Sequence, residues 1–323
     1  MFKNETNIPI TLAVWLAADG GYDLEPDPKV VSATALLRPL KSLVLGRKMM
    51  EEQEIDIDML VASKLGTATH NSVEQAWLLQ HASAMEALGM PKSMIDKISV
   101  NPKHDLPGRI NVYVEKRTAK EIDGFIVSGK FDFCVDGELH DLKTTKSFSW
   151  ISGTNDEDYK KQASIYRWLN QDIVHKEYFY IDYLFTDWSP LRAMAESKDD
   201  YPPNRCISKR FPLYSVAETE AFIRQKLAQL KLYEHADQDA IPECNRKELW
   251  QEPAKWAYYK NPKSLARATK LFDVQSDAQI RLASDGGKGV VVERPGTVKR
   301  CHYCEARPIC LQAQRLEQEG LLK

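Results

Sequence analysis

The sequence predicts an α/β protein in which one central mixed β-sheet is flanked by helices and followed by a carboxy-terminal cysteine-containing segment. Three observations predict it. Between Asp58 and Trp188 the local patterns run helix, three strands, helix, strand, the order of a layered α/β core. Within this stretch "GKFDFCVDGELHDLKTTK", residues 129–146, alternates apolar and polar residues on both sides of Asp136-Gly137, and Asp-Gly between two such runs is the strongest short-range hairpin signal. Beyond Ala240 the composition turns to Trp, Tyr and Lys, and three of the six cysteines crowd near the end.

Residues 31–50, "VSATALLRPLKSLVLGRKMM", read as a helical entry capped by Ser32 or Thr34 and interrupted at Pro39. From Asp58 to about Leu88 apolar residues recur at helical period, with Gly66 inside. A glycine there costs about 1 kcal/mol against alanine, so close packing or a nearby ligand is the expected reason for it. Residues 110–118 and 125–145 supply three antiparallel strands, residues 157–170 an amphipathic helix, and the stretch from Lys176 another strand. Residues 189–212 are proline-rich and read as a loop insertion, before a helix from about Val216 to His235. The expected organisation is an amino-terminal extension over 1–30, a core over 31–239, and a segment over 240–323 that folds back on it.

Composition excludes little. At 323 residues the chain has room for a large core, and 43% hydrophobic residues, 28% charged residues and a formal net charge of −2 argue for no particular partner. Nucleic-acid binding must then rest on local patches. No apolar run approaches the length needed to span a bilayer, and the amino terminus lacks a basic start followed by an unbroken apolar segment. A cytoplasmic protein with no membrane partner is expected. Six cysteines in so long a chain fit metal ligation better than a secreted disulfide scaffold.

The hairpin places Asp132, Asp141 and Lys143 among apolar neighbours. Residues two apart on a strand share a face, so Lys143 lies beside Asp141, and side-by-side strands bring Asp132 near both. Surface strands carry such pairs constantly, and taken alone the cluster reads as a solvated face. Its surroundings favour a metal site. On the preceding helix Gly66-x-x-x-His70 is followed by Glu74, one turn from His70 on the same face, and on the following helix Gln162 and Tyr166 repeat that spacing. Hydrolysing a phosphodiester needs charge stabilisation at phosphorus and a hydroxide-like nucleophile at neutral pH, and a divalent metal does both. Mg²⁺ and Mn²⁺ want oxygen-rich sites, which Asp132, Asp141 and the backbone carbonyl of Leu142 supply; an imidazole from His70 shifts preference toward Mn²⁺. Lys143 would orient the attacking water and stabilise developing negative charge.

This constellation resembles the PD-(D/E)XK nuclease superfamily, specifically its RecB-like branch, which includes phage exonucleases and CRISPR-adaptation exonucleases. The resemblance rests on Gly66-x-x-x-His70, Gly129-x-x-Asp132, Asp141-Leu142-Lys143 and Gln162-x-x-x-Tyr166, in that order, and covers about Ser32 to Trp188. It implies a restriction-endonuclease-like core, His70, Asp132 and Asp141 as metal ligands, Lys143 as the catalytic lysine, and Gln162 and Tyr166 contacting nucleic acid or bracing the site. The texture of "VSATALLRPLKSLVL" and "RCHYC" is similar to phage or prophage members. That implies DNA as partner, a phage recombination or single-strand-binding protein as a further one, and host cytoplasm as the location.

Cys301-x-x-Cys304 followed by Cys310 offers three ligands within ten residues, and Cys244 is chosen as the fourth because it would tie the start of the terminal segment to its end. Cys134, beside Asp132 on the hairpin, is read as core; Cys206 lies in the proline-rich insertion, and His302 is a candidate nitrogen ligand. The C-x2-C-x5-C spacing resembles the carboxy-terminal half of the iron–sulfur staple of RecB-like nucleases, which implies a 4Fe–4S cluster. Those relatives carry their first cysteine before the catalytic core, and here nothing precedes Cys134, so structural Zn²⁺ stays open beside the cluster.

Lys143, Lys146, Lys160, Lys161 and Arg167 crowd around the expected site and would neutralise phosphates. The terminal segment adds Lys255, Lys260, Lys263, Arg267 and Lys270, interleaved with Trp250, Trp256, Tyr258 and Tyr259. Such aromatics either stack on unpaired bases or pack a small subdomain. The leading expectation is a metal-dependent deoxyribonuclease, an exonuclease that processes ends for recombination or replication. A structure-specific or nicking endonuclease shares the same chemistry. A non-cleaving nucleic-acid-binding adaptor has no need of His70, Asp132, Asp141 and Lys143 together.

Overall fold

The structure, a computed structural model, describes residues 2–18, 27–49 and 55–322. The chain divides into two compact units, Met1–Leu37 with Glu52–Ala228 and Arg38–Glu51 with Gln229–Lys323. Residues 19–26 of the expected amino-terminal extension lie outside the described residues.

The first unit opens with β1 (Phe2–Lys3), α1 (Ile10–Ala17), β2 (Val30–Ser32) and α2 (Ala33–Leu36). Ser32 caps α2, its Oγ accepting the Ala35 N–H at 3.1 Å, and Pro39 interrupts the helical run before α3 (Leu40–Lys48), which belongs to the second unit. After β3 (Ile55–Asp56) a 3₁₀ turn over Ile57–Leu60 leads into α4 (Val61–Ala87), then α5 (Lys92–Ile95) and β4 (Ile98–Val100). The body of the sheet follows: β5 (Ile110–Ile122), β6 (Phe125–Val135) and β7 (Glu138–Thr145). Then come α6 (Ser147–Ser152), α7 (Asp156–Leu169), β8 (Tyr178–Phe185), α8 (Pro190–Ala195), β9 (Cys206–Pro212) and α9 (Val216–Tyr233). Among the described residues no helix is long and apolar enough to cross a membrane.

The central sheet is mixed, in the order β4-β5-β6-β7-β8-β9 with β2 also on β6. Helices flank it, and Tyr113, Phe131, Ile165, Trp168, Phe179 and Phe185 are fully buried between the layers. Asp136-Gly137 turns β6 into β7 with φ of 47° and 82°, the type I′ geometry that only such residues adopt cheaply. Asp123-Gly124 does the same between β5 and β6, so β5 runs four residues further than the 110–118 pattern indicates.

One feature of the ladder positions the site. The edge of β6 away from β5 is shared, with β2 pairing along 126–128 and β7 along 133–135. Between them, residues 129–132 pair with neither strand. β7 leaves β6 after His140 and continues beside β8, in parallel, as far as Thr145. The sheet therefore forks at Asp132 and Asp141. Gly129 lies at the start of this gap, and a Cβ there would meet Leu169 at 2.8 Å and the Tyr166 ring at 3.0 Å. Only glycine lets α7 come that close to β6.

Two expectations are corrected. Residues 189–212 are not a loop insertion, because they form α8 and the edge strand β9, whose terminal Pro212 an edge tolerates. Cys206 accordingly opens a strand. The boundary of the second unit falls at Gln229, inside α9, and the unit takes in residues 38–51 from the expected core. Long-range contacts cause this: the buried Lys41 donates to the carbonyls of Gln238 (3.0 Å) and Ile241 (3.4 Å), and the Cys304 thiol donates to Ser42 Oγ (3.4 Å). Gly66 is not explained by packing, since a Cβ there would meet nothing within 4 Å.

The second unit carries a three-stranded antiparallel sheet, β10 (Lys255–Tyr259), β11 (Lys270–Phe272) and β12 (Val290–Arg294), with α10 (Gln275–Ser284) between the last two strands. It ends in 3₁₀ turns over Arg300–Tyr303 and Arg307–Ile309 and in α11 (Leu311–Gln318). Its apolar cluster joins Leu249, Val298, Cys301, Ala313, Leu316 and Leu322.

Candidate active site

At the fork the backbone lacks ladder partners, and a side chain takes their place. Asp132 Oδ2 accepts the Leu142 N–H at 2.8 Å, holding β7 beside β6 after strand pairing has ended. α4 sets His70 against the same point. Its Nε2 donates to the Leu142 carbonyl at 2.9 Å, and its Nδ1 lies 3.5 Å from Asp132 and 3.7 Å from Glu115. Carbonyls and carboxylates only accept, so this arrangement favours protons on both ring nitrogens. The hydrogen bonds to Asp132 and then Glu115 outweigh burial and lift the His70 pKa to about 10.

Glu115 sits in the middle of β5 with φ of 52°. Val114 and Lys116 pair normally with Phe133 and Phe131, while Glu115, opposite Asp132, pairs with nothing. A left-handed non-glycine residue costs about 1–2 kcal/mol. Ion pairs to Lys130 and His70 hold it there. Burial pushes the Glu115 carboxyl up, but the hydrogen bonds from His70 and Lys130 prevail and leave it below the usual range. The ligand atoms of His70, Glu115 and Asp132 all lie within 4.8 Å of one another, the one such group among the described residues.

Asp141 and Lys143 stand beside this group on β7, with Nζ 2.5 Å from Oδ2. The contact is a close ion pair on a buried carboxylate. Asp141 is only 6% exposed. Burial raises its carboxyl above the ordinary range against the pull of Lys143. Burial likewise opposes the Lys143 charge, but Asp141 and Asp132 outweigh it and the ammonium is held.

Of the expected residues, His70, Asp132 and the Leu142 carbonyl meet directly, and Asp141 and Lys143 pair next to them. Asp141 falls outside the 4.8 Å group. Glu74 makes no hydrogen bond or ion pair among the described residues, although it is one turn from His70. Gln162 Nε2 donates to Tyr166 OH at 2.9 Å, and the buried Tyr166 ring rests on Gly129; this pair braces α7 against β6. Lys146 is exposed, Lys160 lies 3.9 Å over the Tyr214 ring, and Lys161 is 3.8 Å from Glu157. Arg167 is not free for phosphate, because its guanidinium donates to the carbonyls of Tyr214 and Lys176.

Glu115 and Lys130 were missed by the sequence reading. The signal was present. The turn at Asp123-Gly124 fixes the β5–β6 register, and that register alone puts Glu115 opposite Asp132.

In the second unit Cys244, Cys301, Cys304 and Cys310 line one cavity. Cys134 is buried in the core of the first unit, and Cys206 is exposed on β9. His302 turns to Arg307, with 3.4 Å between Nδ1 and Nη1. Burial pushes the Cys244 thiol up to about 12 and the Cys301 thiol to about 11, so both are neutral until a metal takes their protons.

No protein-family model matches the chain, and no curated protein matches it. Among solved structures it is similar to SSO0001, at 16% identity and a TM-score of 0.39 over 64% of this chain and 78% of that one. It is also similar to a phage related exonuclease from Haemophilus somnus 129PT, at 13% identity and a TM-score of 0.27 over 52% of this chain and 79% of that one. Likenesses this distant carry no argument about function. The site itself must supply it.

Proposed function

We propose that the protein is a divalent-metal-dependent deoxyribonuclease of the PD-(D/E)XK type, an exonuclease that hydrolyses phosphodiester bonds at DNA ends in phage recombination or replication. One observation carries the reading: His70, Glu115, Asp132, Asp141 and Lys143 converge where β6 and β7 part. A solvated strand face has no use for a buried carboxylate beside a strained Glu115. The donor set fits a hard or borderline cation, with the carboxylates of Glu115, Asp132 and Asp141, the Leu142 carbonyl and the His70 imidazole as ligands. Mn²⁺ or Mg²⁺ bound there supplies positive charge to the phosphate oxygens and acidifies water.

The chain's own groups do the rest. Lys143 Nζ, anchored by Asp141, is placed to hold the attacking water and to balance negative charge as the phosphorus–oxygen bond forms. Asp132 keeps the Leu142 carbonyl turned toward His70 by holding its neighbouring N–H. The test is digestion of end-labelled linear duplex, single-stranded and closed circular DNA with Mn²⁺ and with EDTA. Loss of linear DNA alone, stopped by EDTA, is expected; cutting of circles replaces the exonuclease with an endonuclease, and no cutting at all overturns the reading.

His70 also sets a pH dependence. Its pKa is raised from 6.5 to about 10, so its charged contacts stabilise the fold fully below pH 6.5 and are lost as pH rises through 10. Metal binding runs the other way, because a ligating imidazole must first lose its proton. Mn²⁺ affinity should therefore rise by up to about tenfold per pH unit in this window, with proton release. Calorimetric titration at pH 6.5, 7.5 and 8.5 in two buffers of different ionisation heat reads both, and a flat affinity without proton release would remove His70 from the ligand set.

For the second unit the reading is a structural metal centre on Cys244, Cys301, Cys304 and Cys310. Outside the His70 group no three candidate ligands approach within 4.8 Å among the described residues, so no three of the four sulfurs do. A single tetrahedral Zn²⁺ would draw its sulfurs to about 3.8 Å, given Zn–S bonds near 2.3 Å. The wider spacing supports a 4Fe–4S cluster. The cavity these cysteines help to line is small, about 20 Å³, which keeps a single Zn²⁺, drawn in by closure of the thiols, as the second reading.

A further inference from the structure

The small sheet of the second unit gathers positive charge at one end. β10 and β11 are antiparallel, as are β10 and β12, so the β10–β11 loop and the loop entering β12 lie at the same end. The first loop, "KNPKSLARATK" over residues 260–270, carries Lys260, Lys263, Arg267 and Lys270 and no acid; the second, "DGGKG" over 285–289, adds Lys288. All five cations are exposed. None of them makes an ion pair among the described residues. Elsewhere in the second unit Lys255 is matched by Asp273, Arg281 by Asp285 and Lys299 by Glu252.

Little at this end neutralises the five: Lys260 attracts Asp285 without an ion pair, and Lys270 lies 4.9 Å over the Phe272 ring. The one acid there, Asp285, accepts from Tyr258 OH at 2.8 Å and is paired with Arg281 at 3.2 Å. The carbonyls at the end of α10 are capped by the N–H groups of Gly286 (3.0 Å, from Ala283) and Gly287 (2.9 Å, from Leu282). The longer loop is also built to keep its shape. Lys260 N–H donates to Thr269 Oγ1 at 3.0 Å, Lys263 N–H to Asn261 Oδ1 at 3.0 Å, and Ser264 N–H to the Asn261 carbonyl at 3.1 Å. Gly289 holds the second loop in place, since a Cβ there would meet the Tyr259 carbonyl and the Tyr258 ring at 2.5 Å. Two shaped loops thus gather like charges that repel one another.

We propose that this end of the small sheet is a second DNA-binding surface that engages the phosphate backbone without reading sequence. The assignment of DNA rests on the function proposed above; the anionic, repeating character of the ligand rests on the five unmatched cations. The aromatics of the small sheet itself do not serve as base platforms, and Trp250, 46% exposed, lies outside that sheet with Arg300 4.9 Å over its ring. Tyr258 and Tyr259 are 0% and 2% exposed, and the partly buried Trp256 lies on the strand whose neighbouring rings they are. Recognition is therefore electrostatic, and salt-sensitive in proportion to the phosphates met.

The experiment is fluorescence anisotropy of a labelled duplex with the full-length protein in EDTA, across a salt series. It compares wild type with K263E/R267E/K288E and, should reversal disturb folding, with K263Q/R267Q/K288Q. Both variants should bind at least about tenfold more weakly at 0.1 M salt, with a log–log salt slope shallower by about 2–3. Unchanged affinity and slope in a wild type that cuts DNA would overturn the surface and leave the nuclease standing. Weakened binding in a protein that never cuts would uphold the surface and remove the nuclease. Variant-sensitive binding to phosphatidylserine vesicles with none to DNA would overturn the choice of partner.

Discussion

Asp141→Asn is expected to reduce Mn²⁺-supported cleavage by at least about 10²-fold while leaving the circular dichroism spectrum and the DNA affinity in EDTA close to wild type. The substitution keeps the shape of a residue that is 6% exposed and removes the charge that holds Lys143 Nζ at 2.5 Å. Lys143→Ala should lose activity as deeply and also lose stability, because breaking a buried ion pair from one side costs about 3–5 kcal/mol. That cost has a pH signature. With Lys143 gone the Asp141 carboxyl, already raised by burial, rises further. A raised carboxyl favours the fold below its unfolded pKa and loses that contribution as pH climbs through the folded one, so the deficit relative to wild type should be larger at pH 8 than at pH 5. Single-turnover digestion and denaturant melts at the two pH values check both parts; wild-type rates in Asp141→Asn would dismantle the site.

Replacing Cys301 and Cys304 together by Ser should strip the bound metal and abolish cooperative folding of the second unit. Apparent binding energies of structural zinc run to about 10–16 kcal/mol, as much as or more than the whole stability of an ordinary domain at about 5–15 kcal/mol. The cluster around Leu249, Val298, Leu316 and Leu322 is small, and Cys301 is part of it. Calorimetry should show the second unit's transition lost with the first unit's retained, and metal analysis with visible absorption separates iron–sulfur from zinc. Cys206→Ser, exposed on β9, serves as the control with unchanged metal content. An unchanged melting curve in the double variant would dismiss the centre.

Sequence by itself determined the elements whose signals are local. Alternation around Asp136-Gly137 placed the hairpin, helical period placed α4 and α7, and Pro39 placed the break between α2 and α3. It also placed Lys143 beside Asp141, since two residues apart on one strand share a face whatever the rest of the chain does. The Asp123-Gly124 turn likewise sets the register that puts Glu115 opposite Asp132. Tertiary structure decided the rest. The left-handed φ that leaves Glu115 unpaired at the fork is held by contacts to His70 and Lys130. Residues 38–51 joined the second unit because Lys41 found carbonyls near residue 240, a contact no local pattern encodes. The proline-rich stretch became an edge strand because β8 offered it a ladder. Local propensity chooses what a segment is, but only the pairing of distant segments chooses which charges meet, and here the charges that meet are those at the fork of the sheet.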